Sequence, residues 1–369
     1  MKLVIIVGTR PEIIRLSMTI NLCRKLFDTT LIHTGQNYDK NLNEVFFNDL
    51  NISPPDIYIN CSKNNCGEAV GDVISKTYNL FQELKPDAIL ILGDTNSCLC
   101  AYSAKRLKIP IFHLEAGNRS FDPNVPEEIN RKIIDHLSDI NMCYMEHARH
   151  NLLKENAKAA YTFVVGSPMR EIVNYLLLRI DNSNILDKYD LKEKGYIVWS
   201  VHREDNVDNP VNFNKMIDSL QNIEKTYKKK IVFGVHPRTR KKLNDLNITF
   251  NDNIILADAF GIIDYYKLLK NCDFVVSDSG TISEEANILG FKGVLLRYST
   301  EHPETIDAGS IILGNIDWNN LNTSIKVLNN INSKHNNITD YQDENFSEKV
   351  CKIISGYTSI VNKMLWLKN

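Results

Sequence analysis

The sequence predicts an α/β protein with two Rossmann-like, parallel-sheet domains. Three observations carry that expectation. Short apolar runs of strand length alternate with amphipathic segments of helical length, the pattern of consecutive βαβ units. The alternation stops in a long helical and polar stretch around residues 169–194 and then restarts. The length, 369 residues, suits two domains better than one. With both halves α/β, the expected place for a site is a cleft between them.

In the first half, the runs Leu3–Val7, Thr30–His33, Ala88–Leu92, Pro110–Leu114, Ile140–Tyr144 and Thr162–Val165 read as strands. Between them Glu68–Leu84 and Asn96–Leu107 have helical length and amphipathic spacing, and a further helical pattern begins at Pro126. Such a series makes a parallel sheet with helices on both faces. The second half repeats the alternation with Tyr196–Val201, Lys230–Val235, Asn253–Leu256, Asp273–Ser277, Val294–Leu296 and Ser310–Leu313. No internal sequence repeat links the halves, so they share architecture only. The expected division is residues 1–168, a second domain at 169–350, and a terminal segment at 351–369 that returns to the first domain. Phe346–Leu367 reads as one or two amphipathic helices.

Composition excludes several function classes. Net charge is −2, so neither a nucleic-acid surface nor an anionic membrane is implied as a partner. No apolar run reaches the roughly 18 residues of a membrane helix. The apolar start Met1–Gly8 is broken by Thr9-Arg10-Pro11-Glu12, so it reads as a strand and not an export signal, and a cytoplasmic protein is expected. The eight cysteines include Cys61/Cys66 and Cys98/Cys100, whose spacings fit no zinc pattern; buried or neutral thiols are expected.

The chemistry is concentrated in turns that follow strands. Between Ile109–Leu114 and the helix start at Pro126 stand Glu115, Arg119 and Asp122, followed by Glu127, Glu128 and Arg131. Charges there lie where open α/β sheets place their sites, at the carboxyl ends of strands. Glu115 and Glu127 suit an acid/base pair, because close carboxylates push their pKa values apart. Pro126-Glu127-Glu128 also suits the first turn of a helix, where the dipole favours acids. Gly8-Thr9-Arg10-Pro11-Glu12 combines a tight turn with a helix N-terminus that favours an anion, and Arg10 can clamp a phosphate there. The pattern is neither G-x-G-x-x-G nor a Walker motif. In Gly93-Asp94-Thr95-Asn96, Asp94 is a catalytic or ligand candidate, while Asp94 or Thr95 can equally cap the next helix.

The second half offers Ser200-Val201-His202-Arg203, where His202 suits a phosphate donor or a proton carrier. In Val235-His236-Pro237-Arg238 a ligand role for His236 and a turn-ordering role stay equally open. Ser277-Asp278-Ser279-Gly280 before Glu284-Glu285 has the form of an anion nest at a helix start, with Glu285 able to accept from a ribose diol. Arg297 opens another polar loop, Arg297–Glu304.

Together these motifs resemble the non-hydrolysing UDP-N-acetylglucosamine 2-epimerase family, from Gly8 to about Glu304. The blocks that carry the resemblance are Gly8–Glu12, Gly93-Asp94-Thr95, His113–Gly117 with Arg119, Pro126–Glu128 with Asn130-Arg131, His202-Arg203, and Asp278–Gly280 with Glu284-Glu285. The resemblance implies a GT-B-like fold, a UDP-sugar in the cleft, no nicotinamide or metal cofactor, and a homodimer. It implies inversion at C2 of a UDP-N-acetylhexosamine by elimination of UDP to a 2-acetamidoglucal and re-addition. It makes Asp94, Glu115, Glu127 and His202 catalytic. Arg10, Arg15, Arg119, His236, Ser279, Gly280, Glu285 and Arg297 become substrate-binding.

The chain departs from the family pattern in places. Many members have Lys where Arg15 stands, and an ammonium and a planar fork are not interchangeable. The usual Glu-Arg-Pro-Glu is Glu301-His302-Pro303-Glu304, and Gly166 is followed by Ser167-Pro168-Met169. Arg15, Asn118–Asp122, Val125–Arg131 and Gly166–Met169 are more similar to a branch that makes UDP-N-acetyl-L-fucosamine from a 6-deoxy-L-talose congener. Plain UDP-GlcNAc/UDP-ManNAc interconversion stays open beside it, as do a GT-B glycosyltransferase and a catalytically inactive UDP-sugar sensor. Gln36-Asn37-Tyr38 would lie near the substrate-activation site that some members have, but its pattern is too divergent to carry that property over.

Overall fold

The computed structural model describes residues 1–35, 47, 49–62, 64–331 and 337–368, without the side chains of Glu204 and Asp205. It contains two compact units, Met1–Asn174 with Thr339–Asn369 and Tyr175–Ile338. Against divisions expected after residues 168 and 350, the units meet after residues 174 and 338, the first inside the helix Met169–Asp181.

In the first unit the strands are β1 (Lys2–Val7), β2 (Asp28–His33), β3 (Ile57–Tyr58), β4 (Ala88–Leu92), β5 (Ile111–Leu114), β6 (Ile140–Cys143) and β7 (Thr162–Val164). They form a seven-stranded sheet in the order β3-β2-β1-β4-β5-β6-β7, and the paired strands are parallel. Ile5 of β1 stands level with Leu31 on one side and Leu90 on the other. The central strands are buried over nearly their whole length, as strands covered on both faces are. The edge strand β3 escaped the sequence reading because two residues are too few to show a period.

The helix Arg10–Leu26 follows β1. Pro11 stands in its first turn, where a missing N–H costs nothing, and Arg24 and Lys25 close its last turn. Its buried face is Ile13, Leu16, Ile20 and Cys23, at helical spacing. The terminal helix Phe346–Met364 belongs to the same unit and packs against it.

The second unit has β8 (Tyr196–Ser200), β9 (Lys230–Gly234), β10 (Ile254–Ala257), β11 (Val275–Ser277), β12 (Gly293–Leu296) and β13 (Ile311–Gly314). Their order is β10-β9-β8-β11-β12-β13, again with parallel pairing. Trp199 lies between Phe233 and Val276 in register and is fully buried in a core with Phe213, Met216 and Phe274.

Each sheet therefore grows outward in both directions from its first strand. That leaves a topological switch point between β1 and β4 and another between β8 and β11. Among the described residues no helix is long and apolar enough to cross a membrane.

Candidate active site

The switch point of the first unit is cross-tied by Glu12. One of its carboxylate oxygens, Oε2, accepts the backbone N–H of Gly8 at 2.5 Å and of Thr9 at 3.3 Å. The other, Oε1, accepts the Thr95 hydroxyl at 2.5 Å, so a single buried acid joins the turn after β1 to the turn after β4. Burial raises the Glu12 pKa to about 7, although each of these donors pulls it down. Arg10 is exposed at the start of the same helix. Gly8 has no substitute in this turn: a Cβ would lie 1.9 Å from Ser97 Oγ.

Asp94 follows the next strand. Burial raises its pKa to about 6, Arg131 opposes that rise, and Glu115 and Glu127 both add to it. Two carboxylates singled out by sequence, Glu115 and Glu127, thus act electrostatically on a third, Asp94. Arg131 Nε donates to Asp94 Oδ2 at 2.7 Å, and its Nη1 donates to Glu128 at 2.8 Å. Thr95, not Asp94, caps the short helix that follows, so the Asp94 carboxylate is available to Arg131. Glu115 stands at the end of β5 with φ +66, a left-handed backbone that costs a non-glycine residue energy and often marks function. Its carboxylate receives Asn118 Nδ2 at 3.4 Å and lies 3.9 Å from Arg15 Nε. Arg15 is itself buried, with its guanidinium over the Tyr144 ring. Glu127 opens the helix Glu127–Leu137.

Two other charged residues of this loop are turned to support. Glu128 Oε2 accepts the Ser120 backbone N–H at 3.1 Å and hydroxyl at 3.0 Å, and its Oε1 accepts Phe121 N–H at 3.3 Å. Burial pushes Glu128 up, but Ser120 and Arg131 outweigh it and hold the carboxyl below its ordinary value. Arg119 has a fully buried side chain; its fork is filled by Glu155, at 2.9 and 2.6 Å, and by Asp135, at 2.7 Å. Asp135 also receives Gly117 N–H and stands 3.0 Å from His113 Nδ1, whose Nε2 meets Gly93 O at 3.0 Å. Burial raises Asp135, and His113 and Arg119 bring it below the ordinary range. This chain of contacts runs from the turn after β4 through the turn after β5 to the helix. Sequence reading missed its hub, because nothing local marks which helical acid faces inward.

The second unit repeats the device from the opposite strand. Asp278, after β11, is fully buried and accepts the backbone N–H groups of His202 at 3.1 Å and Arg203 at 2.9 Å, both after β8, and Asn206 Nδ2 at 2.9 Å. The His202 imidazole is half-exposed, its Nδ1 3.5 Å from Asp278 Oδ1. Ser279 and Gly280 lead into the helix Thr281–Leu289. A Cβ on Gly280 would approach Arg297 Nη1 to 3.2 Å, so the turn and that arginine adjoin. Arg297 forms a buried bidentate pair with Glu301 at 2.9 and 3.1 Å. Glu285 is buried and accepts Tyr266 OH at 3.3 Å. Tyr265 shares a hydrogen bond with Ser200; burial and nearby Glu285 push its phenol above the ordinary value. His302, where the resembled family has Arg, is buried 3.1 Å from Glu304. Burial lowers its pKa, but Glu304, Glu284 and Glu301 outweigh that and raise it.

His236 is exposed and caps the helix Pro237–Asp245, its Nδ1 accepting Arg238 N–H at 3.3 Å. Gln36-Asn37-Tyr38 lies outside the described residues.

The two units have the same kind of site: a charged turn at a switch point, backed by a buried carboxylate and opening a helix. That defines an α/β enzyme suited to an anionic substrate and to proton transfer. A sequence model described as UDP-N-acetylglucosamine 2-epimerase matches residues 22–355. A solved UDP-N-acetylglucosamine 2-epimerase from Rickettsia bellii is 40% identical over the whole of both chains, with a TM-score of 0.90. The Methanocaldococcus jannaschii UDP-GlcNAc 2-epimerase, solved with UDP-GlcNAc and UDP, is 34% identical over 96% of this chain and 99% of that one, with a TM-score of 0.88. A Pseudomonas aeruginosa UDP-2,3-diacetamido-2,3-dideoxy-D-glucuronate 2-epimerase is 33% identical over 85% of this chain and 88% of its own. The chain belongs to the UDP-N-acetylglucosamine 2-epimerase family and is an isomerase with the two-domain, GT-B-like α/β fold.

Proposed function

We propose that the protein inverts C2 of a UDP-N-acetylhexosamine without hydrolysing it. The observation that carries this reading is that Glu115 and Glu127 both act on the buried Asp94, with Arg131 paired to Asp94 and Arg15 beside Glu115. A carboxylate takes the C2 proton. The C2–H electron pair forms the C1=C2 bond as the C1–O bond breaks and UDP leaves. UDP then adds back to C1 of the 2-acetamidoglucal while C2 takes a proton on its other face. The C2–H bond is weakly acidic, so departure of the diphosphate must be stabilised by positive groups. Arg10, His202 and the N-terminus of Thr281–Leu289 are those groups; Ser279 and Gly280 hold phosphate oxygens, and Glu285 takes the ribose. An acid near pKa 6 exchanges protons readily at neutral pH, which suits Asp94 to one step. Arg119 and Arg297, each filled by carboxylates, position these turns.

The substrate is UDP-GlcNAc/UDP-ManNAc or a 6-deoxy-L congener. Asn118–Asn124, anchored through Ser120 and Phe121 by Glu128, is the segment we assign to that choice. We further assign the enzyme to surface-polysaccharide supply as a cytoplasmic homodimer. The test is incubation of each UDP-sugar in heavy water, followed by mass and NMR analysis. Deuterium at C2 without any acceptor is expected. UDP binding with no exchange on either class of sugar rejects the epimerase reading and leaves a sensor; sugar transfer to an added acceptor favours a GT-B transferase.

A further inference from the structure

The C-terminal helix meets the first helix along a seam with two polar rungs. Thr19 Oγ1 lies 3.1 Å from Ser347 Oγ, and one helical turn on, Cys23 Sγ lies 3.6 Å from Cys351 Sγ. Residues 19 and 23 on one helix and 347 and 351 on the other share the i, i+4 spacing, so the helices run side by side in the same direction here. Glu171 fixes the far end of the seam by accepting the Ser347 hydroxyl at 2.7 Å and its N–H at 3.1 Å. The Phe346 ring is packed edge-on against Tyr144. The register that brings the sulfurs together is therefore held by independent contacts at the Phe346–Ser347 end of the helix.

We propose that Cys23 and Cys351 form a disulfide-forming pair that latches the C-terminal helix to the helix Arg10–Leu26. The sulfurs are in van der Waals contact, at 3.6 Å, between residues 328 positions apart in sequence, and must close to about 2.05 Å to bond. Cys23 is fully buried and Cys351 nearly so. Reaction accordingly proceeds through local opening of the helix Phe346–Met364. The co-reactant is a low-molecular-weight disulfide. The Cys351 thiolate attacks one sulfur of that molecule, forming a mixed disulfide and expelling one thiolate. Cys23, having given up its proton, attacks Cys351 Sγ and expels the second. The two protein thiols lose two electrons and two protons; the small disulfide becomes two thiols. Cys351 is the first attacker because it lies on the helix that opens, whereas Cys23 is fully buried on the helix that stays in place.

The latch joins the helix Phe346–Met364 to the element that carries Arg10, Glu12 and Arg15 at its other end. The experiment treats the full-length protein with oxidised glutathione under mild urea, quenches with a thiol-blocking reagent, and maps peptides without reduction. A Cys23–Cys351 cross-linked peptide is expected, with a mass about 2 Da below the sum of the two reduced peptides. Amide exchange in residues 346–364 then slows, and dithiothreitol reverses both changes. Exposed Cys66 is the internal control, since it takes up glutathione without pairing. Glutathione retained on Cys351, both thiols left free, or Cys351 bridged to any other cysteine would each overturn the proposal. Because the wild-type chain is the sample, no variant needs to fold for the result to count.

Discussion

Glu12 and Asp94 are the carboxylic acids whose protonation burial alters most. The Glu12 pKa rises from 4.5 in the open chain to about 7 when folded. The folded protein thus holds a proton that the unfolded chain has released between those values. Its stabilising contribution is complete below about pH 4.5 and lost as pH rises through 7, by roughly 3 kcal/mol. Asp94, raised to about 6, acts in the same sense. Urea midpoints should therefore fall between pH 5 and 8, and Glu12→Gln should flatten much of that fall; an unchanged slope would assign it elsewhere. For catalysis, Asp94 works as a base only when ionised, so kcat/KM should drop as pH falls through about 6. Arg131→Gln removes the cation that opposes the rise and should move this limb to higher pH. A limb that stays put shows that another group controls it. Glu115→Gln and His202→Ala should keep the fold and lose turnover by about 100-fold or more; wild-type rates in either would remove that residue from the mechanism.

At the scale of elements, the turns after β4 and β5 differ in how much room they leave. Gly117 has φ +83, and a Cβ there would lie 2.2 Å from the backbone oxygen of Ala148. Gly93 has φ +72 with nothing within 4 Å of the added carbon. Gly93→Ala should cost about 1 kcal/mol from backbone strain alone. Gly117→Ala should cost several times as much, because two main-chain segments must move apart. Equal losses in denaturant melts would show that the Ala148 contact yields easily. Charged residues at strand ends were legible as a group from their position. Their partners were not. Arg119 read as a substrate ligand from its motif, yet in the folded chain its fork is shared between Glu155 and Asp135, and His236 caps a helix. Which face of a helix an acid occupies depends on packing that short motifs do not encode.

For the whole molecule, both sheets have one strand order around a central pair, and each places its charged turns at the switch. UDP alone should stabilise the protein through that chemistry. At free UDP near 100 times Kd, the gain is about 2.7 kcal/mol, read as a rise of a few degrees in Tm. A flat melting profile across the UDP titration would remove the nucleotide site from the proposal.

Fold class and family lay open in the linear sequence, because they rest on hydrophobic periodicity and on short motifs at strand ends, both local. Asp94, Glu115 and Glu127 could be picked out there as candidates, since each follows or opens an element whose direction the pattern reveals. Only tertiary structure decided what surrounds them. Glu12 joins turns whose strands are separated by about eighty residues, Asp135 collects donors from β5 and the turn after it, and Cys23 meets Cys351 across nearly the full chain. The same long-range burial shifts the pKa values, because desolvation depends on everything packed around a group and not on its neighbours in sequence.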